Sequence, residues 1–156
     1  QSALTGHLVL SSLHTNNAFG AINRLLDMGL EPFLISAAVR AIISQRLIRR
    51  LCPKCKKRGA VTAKEHQQFG LKIGTIINRP NGCVSCYQTG YKGRLVLTEL
   101  LEFNDNIRDH VNNSEKIGSV DSSLLPEQTL AVSARSYIES GETSIEEFLS
   151  IMGSLD

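Results

Sequence analysis

Two tight cysteine pairs, Cys52-Pro-Lys-Cys55 and Cys83-Val-Ser-Cys86, account for every cysteine in the chain and constrain its folding more than any other feature. Each C-x-x-C sets two sulfurs on one short knuckle, and the 27 residues between the pairs form a loop long enough to bring the knuckles face to face. Zn²⁺ takes a tetrahedron of such ligands with Zn–S near ~2.3 Å, and four thiolates complete its shell. A complete shell has no position for water or substrate, so the spacing predicts a structural Zn²⁺ held by Cys52, Cys55, Cys83 and Cys86. The competing chemistries fit less well. A redox dithiol needs only one C-x-x-C, and a disulfide framework usually goes with a smaller, more cysteine-rich chain. Arg46, Arg49, Arg50, Lys54, Lys56, Lys57 and Arg58 crowd the first knuckle with no acid among them, which favours the thiolate form.

At 156 residues, 42% apolar and 21% charged, the composition is that of a globular chain, one domain or two small modules. No apolar run approaches the ~18 residues of a membrane-spanning helix, and no signal peptide is recognisable. Free thiols for zinc fit a reducing compartment. The net charge of +2 conceals a polarity: residues 1–98 hold 14 Lys/Arg and 3 Asp/Glu, residues 99–156 hold 3 and 12, so the halves are +11 and −9. Such a split suits intramolecular docking, head-to-tail packing of subunits, or a nucleic-acid surface on the basic half. With no initiator Met and an opening inside an apparent element, the chain is expected to be a piece of a longer protein.

Leu8–Leu13 is a short apolar run expected to form a strand buried in a parallel sheet. Asn16 or Asn17 can cap a following helix with Ala18, Ala21, Ile22, Leu25 and Leu26 on one face, ended by Gly29. Pro32 suits a first helical position, and helical spacing of Ile35, Val39, Ile42, Ile43 and Leu47 predicts one long helix from Phe33 to Leu51. Residues 59–82 read as a variable insert with a short helix at 63–69 and a loop at 78–82. Gly90 and Gly93 bracket a turn, and Arg94–Phe103 reads as a strand. Helices are expected from Asn104 or Asp105 through His110, from about Glu127 to Glu139 with Gly141 beyond it, and from Ile145 to Met152. Ser144 and Glu147 form a capping box for the last.

His14 follows the expected strand, and ligands of open α/β sheets bind at the carboxyl ends of strands. There His14, Thr15 and Asn16 could donate to phosphate oxygens or hold a water, or simply form a turn with two caps. His7 starts the expected strand and reads as a packed, hydrogen-bonded histidine rather than a ligand, while His66 and His110 carry no local signal of their own. The chain contains no G-x-x-x-x-G-K-[ST], so it lacks a P-loop phosphate cradle.

The string TGHLVLSSLHTNNA resembles the histidine box of the type II secretion and type IV pilus assembly ATPases. The resemblance continues through RLLDMGLEPFLISAAVRAIISQRLIRRLCPKC, GCVSCYQTGYKGR, TELLEFND and ESGETSIEEFL, covering nearly everything outside residues 59–80. It implies an α/β fold: the C-terminal remnant of a RecA-like ATPase core (1–51), a tetracysteine zinc module with a variable insert (52–95), and a mainly helical C-terminal subdomain (96–156). The implied parent is a cytoplasmic homo-hexamer, peripheral to the bacterial inner membrane. It would dock on secretion platform proteins and couple ATP and Mg²⁺ to pseudopilus or pilus assembly and protein export. His14 corresponds to the histidine that approaches the γ-phosphate, His7 to the other histidine of the box, with Thr15 and Asn16 in the same turn. In that family the P-loop and Walker B segment lie upstream, so this chain alone is expected to be inactive, and no nucleic-acid partner is expected. The usual box reads STLHTNDA; here Ser12 and Asn17 differ, and Asn17 keeps a capping group without the charge. The stretch GRLVLTELL also lacks the family's glycine and tyrosine near Val96–Thr98. The alternative is a zinc-ribbon nucleic-acid-binding module, disfavoured by the absence of aromatic residues between Arg46 and Arg58.

Overall fold

The computed structural model describes residues 2–113, 124 and 126–152. The chain is a mixed α/β protein that divides into two compact units, Gln1–Ser44 with Thr98–Thr129, and Gln45–Leu97 with Leu130–Asp156.

In the first unit, helix α1 (Ala18–Asp27) begins where the Asn17 side chain accepts from the Gly20 N–H at 2.7 Å. It ends before Gly29, whose φ of +81° is the left-handed conformation that a glycine accepts without cost. Helix α2 (Pro32–Ala38) starts on Pro32, as expected of a residue with no N–H to leave unpaired. Helix α4 (Asp105–Asn113) is capped by Asn104, which accepts from the Ile107 N–H at 3.0 Å. Their apolar faces meet at Ala18, Phe19, Ile22, Ile35, Ile107 and Val111, with Leu101 and Phe103.

Two expectations fail here. Leu8–Leu13 forms no strand: Leu8 and Leu10 are each 87% exposed and Val9 is exposed between them. A strand exists only with a ladder partner, and the described strands pair among themselves, β1 with β4 and β2 with β3. Nor is 33–51 one helix. α2 stops at Ala38, Val39 turns extended at ψ 130°, and Ala41–Leu51 is strand β1. Side chains then alternate, with Ile42, Ser44, Arg46 and Ile48 inward while Ile43 and Leu47 are exposed. The β-branched isoleucines, stiff at χ1, fit a pleated strand better than a helix. The partner is β4 (Tyr91–Glu102), which contains most of the strand expected at Arg94–Phe103 and takes in Gly93, expected in a turn.

In the second unit, residues expected to be a variable insert form an ordered motif. Strand β2 (Lys57–Ala60) pairs antiparallel with β3 (Ile76–Arg79), with Lys57 opposite Arg79 and Ala60 opposite Ile76. Between them lies helix α3 (Ala63–Phe69), with the expected bounds and a capping box of Thr62 and Glu65. Asn78 and Arg79, expected in a loop, close the ladder instead. Helices α5 (Leu130–Glu139) and α6 (Ile145–Met152) cover this motif. Ile48, Val61, Leu71, Ile77, Leu97, Ile138 and Ile145 form the core, and the Phe69 and Phe148 rings meet edge-on at 5.3 Å. Gly141 separates α5 from α6 at φ +72°, where a Cβ would collide with the Asn78 side chain.

Arg79 ties the motif together through a two-point contact with Glu65, at 2.6 and 2.8 Å, and reaches Glu146 of α6 at 2.7 Å. The Arg79 hydrogen bonds hold the Glu65 carboxyl down at about 2, helped by Thr62 and opposed by burial. A carboxyl whose pKa is depressed in the folded state stabilises the fold above its unfolded value and loses that contribution as pH falls. Glu65→Gln should therefore cost on the order of 1 kcal/mol at neutral pH, allowing for solvent screening. In urea titrations the gap between the two proteins should close as pH falls from about 4.5 toward about 2. A gap independent of pH would exclude the Glu65–Arg79 charge as its source.

Candidate metal centre

Cys52 follows directly on β1, and Cys83 caps and Cys86 ends a single 3₁₀ turn at Val84–Cys86 that leads through Gly90 into β4. The Cys52 N–H donates to the Gly90 carbonyl at 2.9 Å, which joins the two knuckles through the backbone. Gly90 has φ +79°, and a Cβ there would sit 2.6 Å from that of Pro80, so no other residue fits.

This framework gathers all four sulfurs within 4.8 Å of one another. Cys52 and Cys83 Sγ are 3.9 Å apart, Cys55 and Cys86 3.8 Å, and Cys83 and Cys86 3.7 Å. The edge of a tetrahedron with Zn–S of ~2.3 Å is about 3.8 Å, so the spacing fits such an ion. A disulfide needs ~2.05 Å, and the four thiols are free. Cys86 Sγ also accepts from the N–H groups of Cys83 at 3.2 Å and Gly90 at 3.3 Å.

Cys55 and Cys86 are shifted in opposite directions. Burial pushes the Cys55 thiol up to about 12 against the opposing Gly82 N–H. At Cys86 burial also raises it, but the N–H groups of Cys83 and Gly90, with the neighbouring thiols, outweigh it and bring it down to about 6. A divalent cation is the group that stabilises all four as thiolates together. Among the described residues no other His, Cys, Asp or Glu cluster has this geometry.

The C-terminal Gly141-Glu142-Thr143-Ser144 loop supports the knuckle from behind. The Leu51 N–H donates to the Glu142 carbonyl at 2.8 Å, Thr143 Oγ1 to the Arg49 carbonyl at 2.9 Å, and Lys56 Nζ to the Gly141 carbonyl at 2.8 Å. Glu147, 4% exposed, accepts from the Arg49 backbone N–H and from its guanidinium, both at 2.8 Å. These bonds raise the Arg49 pKa and keep it charged. That guanidinium lies 4.2 Å from the centre of the Tyr91 ring, whose hydroxyl is 2.8 Å from Ser144 Oγ. The expected capping box is thus half formed. Ser144 accepts from the Glu147 N–H at 3.3 Å, but the carboxylate is taken by Arg49. Arg49 and Glu147 are 98 positions apart, and only the opposite charges of the two halves hinted at the pair.

The histidine-box residues do not form a second cluster. His14 and Asn16 are exposed, Thr15 Oγ1 donates to the Asn17 carbonyl at 3.2 Å, and His7 Nδ1 lies 3.2 Å from Thr5 Oγ1. His66 Nδ1 is 2.8 Å from the Leu71 carbonyl in the α3 terminus.

Residues 1–150 match the family described as Type II/IV secretion system protein. The chain belongs to that family. It is 47% identical over 115 residues to the type II secretion system protein E of Dickeya dadantii, covering 74% of this chain and 23% of that protein. The Klebsiella pneumoniae protein of the same name is 43% identical over 97% of this chain and 31% of its own length. A type IV pilus assembly ATPase, PilB of Myxococcus xanthus, is 40% identical over 94% of this chain and 27% of its own. The chain therefore spans about a quarter to a third of these relatives' length. No described helix is long and apolar enough to cross a membrane.

Metal analysis of the purified protein should return about one Zn per chain, and Cys83→Ser should lower the melting temperature sharply, because binding at such a site is coupled to folding. Equal melting temperatures with and without metal would remove the centre from the folding of this unit.

Proposed function

We propose that this chain is the C-terminal part of a secretion ATPase that couples ATP hydrolysis to pseudopilus or pilus assembly and protein export. The observation that carries this reading is the family match over residues 1–150, which takes in both the histidine box and the four clustered cysteines. In the whole protein ATP and Mg²⁺ would be held by a P-loop and acidic residues that the present 156 residues do not contain. Residues 1–51 would close a RecA-like core, 52–95 form the zinc module and 96–156 the helical remainder, a division along the sequence that differs from the two packing units. The assembly would be a hexamer at the cytoplasmic face of the inner membrane, working against platform proteins. The bare apolar run of Leu8, Val9, Leu10 and Leu13 supports a larger whole, since such a patch is normally covered by protein.

The zinc would be structural, because four thiolates leave no coordination position for water or substrate. Its role would be to hold β1, β4 and the C-terminal loop as one body. His14, with Thr15 and Asn16, would contact the terminal phosphate, and His7 would support the same box. A side chain that meets only the γ-phosphate distinguishes ATP from ADP, which a motor needs for switching.

The 156-residue chain alone should show no ATP turnover above background in a coupled assay; steady turnover in a clean preparation would contradict this reading. In the full-length protein His14→Ala should lower kcat by ~10-fold or more, as for loss of one positioned polar group, with ADP affinity and zinc content unchanged. Wild-type turnover and secretion in that variant would leave His14 a turn residue.

A further inference from the structure

We propose that Glu99 is a positioning residue for the His14-Thr15-Asn16 turn: its carboxylate, buried on β4, holds the first N–H of α1 and so fixes the turn that leads into that helix. The proposal rests on the assignment of His14 to the nucleotide site made above.

Glu99 is 8% exposed. A buried carboxylate is costly unless something answers its charge. Among the described residues no ion pair involves it. Its hydrogen-bond partner is the backbone N–H of Ala18, 2.8 Å away and 81 positions earlier in the chain. Ala18 is the first residue of α1, and the amino end of a helix carries about half a positive charge. The helix has no acid of its own in its first turn, and its N-cap, Asn17, is neutral. Glu99 therefore supplies from another element the negative charge that this terminus lacks.

The two caps divide the work. Asn17 Oδ1 takes the Gly20 N–H at 2.7 Å, Glu99 Oε1 takes that of Ala18, and Thr15 Oγ1 donates back to the Asn17 carbonyl at 3.2 Å. A Cβ on Gly20 would lie 3.2 Å from Asn17 Oδ1 and 3.6 Å from Thr15 Cβ, so the turn is folded closely onto the first helical turn. The geometry of Thr15–Asn17 is thereby fixed to the start of α1, and Glu99 fixes that start to β4. Residues 7–15, just ahead, have no regular structure. The Glu99 bond is thus an anchor for a segment whose own side chains are mostly exposed.

The test is a double-mutant cycle in the full-length protein, read as kcat and KM for ATP. Glu99→Ala should lower kcat by ~10-fold with KM within about threefold, because the group acts through another residue rather than on substrate. Glu99→Gln should stay within about threefold of wild type, since the amide oxygen still accepts from Ala18. The double variant His14→Ala/Glu99→Ala should be no slower than His14→Ala alone, against ~100-fold for independent effects. Hydrogen–deuterium exchange of a peptide covering residues 13–20 should quicken in Glu99→Ala but not in Glu99→Gln. If Glu99→Ala fails to fold, Glu99→Asp, which keeps the charge but shortens the reach, should show the same faster exchange. Unchanged exchange or multiplied losses in the double variant would overturn the positioning role. So would wild-type kcat in Glu99→Ala beside a slow His14→Ala. Wild-type kcat in His14→Ala would instead overturn the nucleotide-site assignment.

Discussion

Four sulfurs held within 4.8 Å of one another are the constraint on which the second unit depends. As thiolates they repel, and as thiols they fill a semi-buried pocket with weak donors and acceptors. Backbone donors only partly ease this, which is why Cys86 is drawn down to about 6 while Cys55 is driven up to about 12. An ion of charge +2 at the centre would remove the conflict, and its binding free energy would become folding free energy. The ligands join the end of β1, through Cys52, to the entrance of β4, through Cys86 and Gly90. One coordination shell would thus fix where two strands meet.

Around the sulfurs, cations are answered locally. Arg49 meets Glu147, Arg50 meets Glu142 at 2.9 Å, and Arg79 meets Glu65 and Glu146. All lie within the second unit, so part of the +11 and −9 asymmetry is settled by intramolecular docking of the C-terminal segment. These pairs are unequal. Arg50–Glu142 is exposed enough to contribute little. Glu147 is buried and hydrogen-bonded at both oxygens, so removing Arg49 would strand a desolvated charge. That pair, with Tyr91 below and Ser144 beside it, couples the strand entering the metal site to the final helix.

The clustering of the four cysteines and the helix caps were legible in the sequence, because both are local. Two C-x-x-C spacings define the knuckles, while Asn17, Pro32, Asn104 and Ser144 mark helix starts by chemistry that acts within three residues. β1 was hidden because Ile35, Val39 and Ile42 match a helical period, whereas alternation over Ile42, Ser44, Arg46 and Ile48 is blurred by a serine and an arginine on the inner face. Leu8–Leu13 has the composition of a strand, but a ladder is a property of two segments and no described segment pairs with it. Arg49–Glu147 and Ala18–Glu99 were invisible for the same reason, spanning 98 and 81 positions with no local signal. The helix α3 was expected, but strands β2 and β3 on either side of it escaped notice because they are four residues each and are stabilised by Arg79 and a shared core rather than by pattern.

X-ray absorption at the zinc edge of the purified protein reads the central arrangement directly. A closed tetrathiolate predicts a single shell of four sulfurs at ~2.3 Å and no light-atom scatterer. A shell containing oxygen or nitrogen at ~2.0–2.1 Å, or fewer than four sulfurs, would contradict it.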